Sequence, residues 1–248
     1  MTGTRLLILL ALLASAAPSF SQAKPVTPRF GAINTFSVFG EYSNDSSHIL
    51  LGGAEDRKLL NFGAAYSRRL FTTRFMDFRY MAELRPVVLV GDPLTKYTIV
   101  QTAPPPTMTF SGTGVTVPAC HAFTESYSNV YQGVTYAGTE TITCSRQWTY
   151  GQGLSPAGIK LNFLPRNRIQ PVFTASGGYI FTTKPVPVSN AGSANYTFEF
   201  GVGLEIFHSA TRSLRAEYRY NHISNNYTAT ENPGIDNGVL QISWSFGR

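Results

Sequence analysis

The sequence YTFEFGVGLEIF, residues 196–207, alternates large apolar side chains with small or charged ones. Tyr196, Phe198 and Phe200 begin the apolar series, and Thr197 and Glu199 begin the other. Successive side chains of a β-strand point to opposite faces of the sheet. A period of two therefore predicts a strand with one apolar face and one polar face. The stretch indicates an all-β fold whose sheet separates two different surroundings.

The same period of two recurs in seven further segments. They cover residues 33–42, 59–69, 78–85, 157–164, 170–182, 214–224 and 236–246. Most have close to the roughly 9–11 residues that a strand needs to cross a bilayer at a tilt. Short and longer connections alternate between them, as in outer-membrane barrels, where the short turns face the periplasm. We predict an all-β fold, an eight-stranded antiparallel transmembrane β-barrel.

Two kinds of barrel fit this alternation. A soluble, lipocalin-like barrel turns its apolar face inward around a ligand, whereas a membrane barrel turns that face toward lipid. Aromatic residues make up 13% of the chain and charged residues 14%, against about 25% charged residues in ordinary globular domains. Several charged residues lie opposite the aromatic face: Arg79, Glu83, Arg85, Glu199 and Glu205. These observations favour the membrane form.

Residues 1–23 have the pattern of a secretory signal peptide. Arg5 precedes the apolar run 6–13, and residues 21–23, Ser-Gln-Ala, supply a small-x-small cleavage site. Residues 24–248 would then be the exported barrel, located in the bacterial outer membrane. No later stretch approaches the roughly 18 apolar residues that a transmembrane helix needs.

Residues 91–153 interrupt the alternation and are rich in Thr, Ser, Gly and Pro. We predict one long extracellular loop here, with a short extra hairpin as the alternative. Cys120 and Cys144 both lie in this segment, and an exported chain with an even number of cysteines most simply pairs them. We expect a disulfide that closes the loop and no metal site, since among the histidines only His121 is near the cysteines.

The formal net charge is +6 at pH 7. No lysine-rich run or aromatic stacking motif indicates a nucleic-acid partner. We expect the basic residues in solvated loops and in ion pairs inside the barrel. Attraction to an anionic surface is the alternative.

Residues 221–236, NHISNNYTATENPGID, contain the candidate chemistry. His222 and Ser224 are two residues apart on a predicted strand, so their side chains share a face. If the chain turns back as a hairpin, Asp236 begins the neighbouring strand and can reach His222. These are the parts of a base-activated serine nucleophile with an orienting acid. By parity, all three lie on the apolar, lipid-facing side near the outer end of the barrel.

The same stretch resembles the active-site segment of the outer-membrane lipid A 3-O-deacylases, the acyloxyacyl-hydrolase-like family of Gram-negative bacteria. The resemblance implies Ser224 as nucleophile, His222 as general base and Asp236 as the orienting acid. Asn225 would help to hold the oxyanion and Asn232 would support the site. The acid of the family is commonly Glu at this spacing, so Asp236 is one methylene shorter.

The resemblance also implies the substrate and its location. The enzyme would be a carboxylic ester hydrolase that removes a (3-hydroxy)acyl chain from lipid A of lipopolysaccharide in the outer leaflet. It would need no cofactor, and the oligomeric state stays open, with a homodimer among the alternatives. The family is an eight-stranded barrel with its site on the exterior, which agrees with the parity above.

Three other functions remain as alternatives. A non-catalytic barrel would act in adhesion or structure through its long loop, and changing Ser224 would then have no chemical effect. A soluble carrier would be extracted without detergent. A phospholipase on the same barrel would share the Ser–His chemistry and release acyl chains from phospholipids instead.

Overall fold

The computed structural model describes residues 30–248, apart from the side chain of Asn44, and the predicted signal peptide lies outside this range. The described chain forms ten antiparallel strands. They are β1 (Asn34–Ser46), β2 (Lys58–Thr72), β3 (Met76–Ala103), β4 (Met108–Val115), β5 (Phe123–Tyr131), β6 (Val134–Phe163), β7 (Ile169–Thr182), β8 (Ala194–Phe207), β9 (Arg212–Ser224) and β10 (Ile235–Gly247). Within residues 30–248, no helix is long and apolar enough to span a membrane.

Eight of the strands pair in a ring. The order runs β3-β2-β1-β10-β9-β8-β7-β6, and β3 also pairs with β6. The β3–β6 seam is uneven, because its register shifts between Met81 and Glu83 and again between Arg85 and Val88. The predicted all-β antiparallel fold is confirmed. The described chain has ten strands where eight were predicted, and the two additional ones lie in the segment that was predicted as a loop.

Residues 91–153 form a sheet that extends from the ring, which we call the extension. Beyond the ring, β3 and β6 stay paired as far as Ala103 and Ala137, while β4 adds to β3 and β5 adds to β6. Almost all side chains of β4 and β5 are exposed on both faces. Such strands need no apolar face, so the sequence there has no period of two to reveal them. The predicted disulfide between Cys120 and Cys144 is present in the extension.

The ring turns its apolar side chains outward. Phe62 is 50% exposed and Val202 is 62% exposed, whereas the inward Glu83 and Arg219 are each 1% exposed. A soluble barrel would have the opposite arrangement. The structure therefore decides between the two barrel forms in favour of the one with an apolar exterior and a polar interior.

The interior is filled by paired charges. Arg85 Nη2 lies 2.6 Å from Glu199 Oε2 and 2.8 Å from Glu83 Oε2, and Arg85 Nε lies 3.1 Å from Glu41 Oε2. Arg219 contacts the same three carboxylates from a neighbouring position. The carboxylates are close enough to share a metal ion, but the two guanidinium groups already supply the positive charge. Buried charges require such partners, and leaving one unpaired costs about 3–5 kcal/mol.

The two ends of the ring differ in the length of their connections. Residues 73–75, 164–168 and 208–211 join strands at one end, which we call the short-turn end. Residues 47–57, 183–193 and 225–234 join strands at the other end, where the extension also leaves the ring. We call this the long-loop end. The candidate catalytic residues lie here, at the tips of β9 and β10.

Candidate active site

The register of the β9–β10 hairpin brings His222 and Asp236 together. The two residues are direct cross-strand partners, and directly opposed Cβ atoms lie about 4.5–5.5 Å apart. The Nδ1 atom of His222 lies 2.6 Å from Oδ1 of Asp236. A carboxylate only accepts, so Nδ1–H is the donor. The short aspartate suffices because the strand pairing already places it opposite the histidine.

Asp236 is fully buried although its side chain lies on the outward face. Its Oδ2 accepts the backbone N–H groups of Leu50 and Leu51, both at 2.7 Å. Its Oδ1 accepts the hydroxyl of Tyr220 at 2.8 Å, in addition to His222. Four donors satisfy the carboxylate and fix its orientation. The β1–β2 loop therefore acts as a clamp over Asp236.

The clamp requires a close approach of two backbones at Gly52. A Cβ atom at this position would lie 2.5 Å from the backbone nitrogen of Asp236 and 2.9 Å from its Cγ. From the β10 side, Gly234 adopts a φ of +65°, and a Cβ there would lie 3.2 Å from Cε1 of His222. Glycine avoids these contacts because it has no side chain. Both glycines keep the loops tight around the His222–Asp236 pair.

The clamp loop is itself anchored to the extension. Glu55 N–H donates to the carbonyl of Val117 at 2.9 Å, and Ala119 N–H donates to Glu55 Oε2 at 3.0 Å. This Ala119 hydrogen bond is the largest influence that holds the pKa of Glu55 below its usual value. The buried guanidinium of Arg57 also donates to the Val117 carbonyl, at 2.5 Å. The base of the extension therefore braces the loop that holds Asp236.

Ser224 follows His222 on the outward face but has other hydrogen-bond partners. Its hydroxyl donates to Oδ1 of Asn232 at 3.0 Å, and it accepts the N–H of Asn226 at 3.1 Å. No hydrogen bond in residues 30–248 joins Ser224 to His222, and Nε2 of His222 has no hydrogen-bond partner in that range. In apo sites, catalytic hydrogen bonds are often long or not yet formed.

The structure gives the two asparagines different positions. Asn225 is 1% exposed, and its side chain bonds within its own loop, to the carbonyl of Glu231 at 2.6 Å and the N–H of Tyr227 at 2.9 Å. Asn232 Oδ1 accepts the N–H of Asn225 at 3.1 Å as well as the serine hydroxyl. Because both donors bond to the oxygen, the amide nitrogen Nδ2 of Asn232 is left for another acceptor.

Apolar grooves flank the site on the outside of the ring. Ser224 pairs with Tyr196, which lines one groove together with Tyr179 and Phe181. Tyr218 and Leu240 line the other groove, next to the His222–Asp236 pair. The clamp loop adds three exposed apolar side chains, Ile49, Leu50 and Leu51. Exposed apolar surfaces of this kind favour contact with hydrocarbon over contact with water.

Sequence reasoning identified the pair and the serine but not the clamp. The sequence places Tyr220 on the same strand face as His222, but nothing in it indicates that the Tyr220 hydroxyl donates to Asp236. Leu50 and Leu51 contribute backbone N–H groups, which any residue type supplies. The adjacent glycines at positions 52 and 53 were the one available sign of a tight approach.

Solved structures to which this chain is similar include two that cover most of its length. Neisserial surface protein A (NspA) has 10% sequence identity and a TM-score of 0.44, over 86% of this chain and 96% of that chain. OprG from Pseudomonas aeruginosa has 10% identity and a TM-score of 0.40, over 90% and 100%. No curated protein matches the sequence.

A family model describes the part of the chain that holds the site. The model of lipid A 3-O-deacylase (PagL) matches residues 120–245, about half of the chain. The matched range contains all the candidate catalytic and supporting residues on β9, on β10 and in the loop between them. The chain therefore belongs to the lipid A 3-O-deacylase (PagL) family of bacterial outer-membrane proteins.

Proposed function

We propose that this chain is a serine esterase that removes an ester-linked (3-hydroxy)acyl chain from lipid A. The observation that carries the proposal is the 2.6 Å hydrogen bond between His222 and Asp236, with Ser224 next on the same outward face. Membership of the lipid A 3-O-deacylase family supports the substrate class. The residues supply a nucleophile, a base and an orienting acid, which is sufficient for ester hydrolysis.

In the first half of the reaction, Ser224 Oγ attacks the ester carbonyl and its proton passes to Nε2 of His222. Asp236 holds Nδ1–H, so the imidazole presents Nε2 as the base and the positive charge formed on the ring is stabilised. The tetrahedral intermediate collapses, the sugar hydroxyl leaves with the proton from His222, and the acyl group stays on Ser224. Water then repeats the sequence and releases the fatty acid.

The first step requires a change in the hydrogen bonds of Ser224. Its hydroxyl is bonded to Asn232 Oδ1 at rest, and rotation about the Cα–Cβ bond would turn it toward His222. Asn232 Nδ2 is then our candidate donor to the developing oxyanion. Removing one such donor elsewhere costs about 10²–10³ in rate. The N–H of Asn225 orients Asn232, so we assign donation to Asn232 and positioning to Asn225.

We place the long-loop end outside the cell, because outer-membrane barrels have their longer loops there. Residues 24–248 would be the mature barrel, with the extension on the extracellular side. The site then lies at the level of the outer leaflet and faces the lipid directly. Acyl chains of lipid A can reach Ser224 through the flanking grooves, and the exposed Leu50 and Leu51 extend into the same layer.

The test compares lipid A from cells that produce the native chain, Ser224→Ala or Ser128→Ala. Ser128 is an exposed serine of β5 and serves as the matched control. We expect mass spectrometry to show loss of one hydroxyacyl chain with the native chain and Ser128→Ala, and intact lipid A with Ser224→Ala. Deacylation by a correctly folded Ser224→Ala would refute the serine mechanism. Release of fatty acid from purified phospholipids but not from lipid A would identify a phospholipase instead.

A further inference from the structure

The exposed charged side chains at the short-turn end all have the same sign. Six arginines are exposed there, and we call them the arginine collar: Arg68, Arg74, Arg166, Arg168, Arg212 and Arg248. The one side-chain carboxylate among residues 30–34, 67–78, 162–170, 206–213 and 246–248 is Asp77. It is buried and is bonded to Arg69 at 2.7 Å. The ion pairs of the described chain involve other arginines, so no collar arginine is paired with a carboxylate side chain.

The rest of the described chain does not share this imbalance. Inside the ring, arginines and Lys160 alternate with carboxylates in ion pairs. At the long-loop end and in the extension, carboxylates and cations are both present: Asp45, Glu55, Asp56, Asp92, Glu125, Glu140 and Glu231 beside Arg57, Lys58, Lys96, Arg146 and Lys184. The positive charge of the chain is thus concentrated at one end of the ring.

Three collar arginines continue the outward apolar face of adjacent strands. Arg68 lies two residues after Tyr66 on β2, and Arg248 lies two residues after Phe246, directly beyond the end of β10. Arg212 is the cross-strand partner of Phe246 on β9. Between β2 and β10, Asn34 of β1 pairs with Arg68 and accepts the N–H of Arg248 at 3.1 Å. These residues therefore lie side by side at the ends of four neighbouring strands, and we call the three arginines the patch.

Aromatic rings lie directly above this patch. The ring centroids of Phe36 and Tyr66 are 5.3 Å apart, and those of Phe36 and Phe246 are 6.3 Å apart. Trp244 continues the series on β10 and stacks on His208 at 5.6 Å. Aromatic girdles mark the level where the hydrocarbon of a bilayer meets its headgroups. The three arginines, one step further from the apolar belt, lie at the level of the headgroups.

We propose that the patch formed by Arg68, Arg212 and Arg248 binds anionic phospholipids of the leaflet on the short-turn side. Guanidinium groups donate bidentate hydrogen bonds to phosphate oxygens, and they carry charge at all relevant pH values. The acyl chains of the same lipid would lie on Phe36 and Phe246. The apolar belt continues into the patch without interruption, which fits a lipid that has both a charged head and chains. The proposal does not depend on the catalytic assignment.

The expected preference follows from the number of charges. One arginine near an anionic lipid surface is worth a factor of about five in affinity at physiological salt. Three arginines at one site should therefore give a clear preference for phosphatidylglycerol over phosphatidylcholine. Screening by solvent and salt makes this preference smaller than the product of the three single-arginine factors. We expect a preference of at least about threefold.

Trp244 offers a local readout, because it is exposed on the outer surface, directly above the patch. The chain has two tryptophans, so a Trp148→Phe background leaves Trp244 as the reporter. The protein is inserted in phosphatidylcholine vesicles that contain increasing fractions of phosphatidylglycerol with brominated acyl chains. Quenching by brominated phosphatidylcholine is the reference. Either orientation of insertion gives the same signal, because both leaflets have the same composition.

Two charge variants complete the test. In Arg68→Gln/Arg212→Gln/Arg248→Gln we expect the ratio of quenching by phosphatidylglycerol to quenching by phosphatidylcholine to fall to about one, since each lost charge removes its part of the attraction to the anionic lipid. The preference for phosphatidylglycerol should persist in Lys96→Gln/Lys184→Gln, which removes exposed cations from the other end. Circular dichroism checks that each variant is folded. Equal quenching by the two lipids with all arginines present, or a preference that survives the triple Gln variant, would overturn the proposal.

Discussion

Replacing Asp236 with asparagine preserves the shape of the side chain and exchanges one acceptor oxygen for an amide that donates. The carboxylate accepts four hydrogen bonds, two on each oxygen. If the amide nitrogen takes the place of Oδ2, its N–H donors face the N–H donors of Leu50 and Leu51. The clamp loop then loses both hydrogen bonds. If the amide nitrogen takes the place of Oδ1, it faces His222 and forces the proton of the ring onto Nε2.

Both orientations carry a cost that can be estimated. Hydrogen bonds to a charged group are worth about 1.5–3 kcal/mol each, so loss of the two clamp bonds destabilises the loop by about 3–6 kcal/mol. The other orientation leaves Nε2 protonated and unable to accept the serine proton. In the serine protease template, the equivalent exchange lowers kcat by about 10⁴. We expect the deacylation rate of Asp236→Asn to fall by about 10²–10⁴.

The assay follows release of 3-hydroxy fatty acid from purified lipopolysaccharide in detergent micelles, with lipid A analysed by mass spectrometry. Tyr220→Phe is the matched control, because it removes one donor to Asp236 at 2.8 Å and leaves the contact with His222 in place. We expect Tyr220→Phe to lower stability by about 1.5–3 kcal/mol, as for any hydrogen bond to a charged group, and to lower the rate much less than Asp236→Asn does, since the hydrogen bond from His222 to Asp236 stays. A folded Asp236→Asn that stays within about threefold of the native rate would refute the role of Asp236.

Two further predictions concern the surroundings of the site. Gly52→Ala should lower activity by about tenfold or more, because its Cβ would lie 2.5 Å from the backbone of Asp236 and push the clamp away. The measurements are the deacylation rate and the thermal unfolding of the variant. If neither differs from the native chain, the prediction is wrong. Cys120→Ser/Cys144→Ser should destabilise the extension by about 3 kcal/mol in the chain-entropy model and make it sensitive to protease. Its deacylation rate should stay within about threefold, since the hydrogen bonds that anchor the clamp loop do not involve the cysteines; a larger loss would show that the disulfide holds the site.

The strands of the ring could be predicted because each separates two environments. The alternation in residues 196–207 exists because one set of side chains meets the outside of the ring and the other meets the buried charges within it. The extension has exposed side chains on both faces, so selection for burial leaves no period there. Burial of one strand face therefore explains why the ring strands could be predicted and why β4 and β5 could not.

The candidate site divides in a similar way. His222, Ser224 and Asp236 could be predicted as a site because the required side-chain types stand at strand spacing around a turn, and the structure brings His222 and Asp236 into contact. The oxyanion assignment made for Asn225 from the resemblance depended on which way two side chains point, and the structure directs the Asn225 amide into its own loop. Such choices are made by local hydrogen bonds in the loop, which sequence spacing does not encode.

The antiparallel strands, the disulfide and the side-chain types of the site could be read from the chain alone, since periodicity and residue chemistry are local properties. The outward direction of the apolar face became clear from the folded ring, because both barrel forms have the same alternation in sequence. The tertiary structure also brought Leu50 and Leu51 onto Asp236, at a separation of 186 and 185 residues in the chain. It also gathered the collar arginines from strand ends and turns that are far apart in the sequence. These contacts and this cluster of charges form only when the strands pair into the ring. They join residues that are far apart in the chain, so no single segment of the sequence shows them.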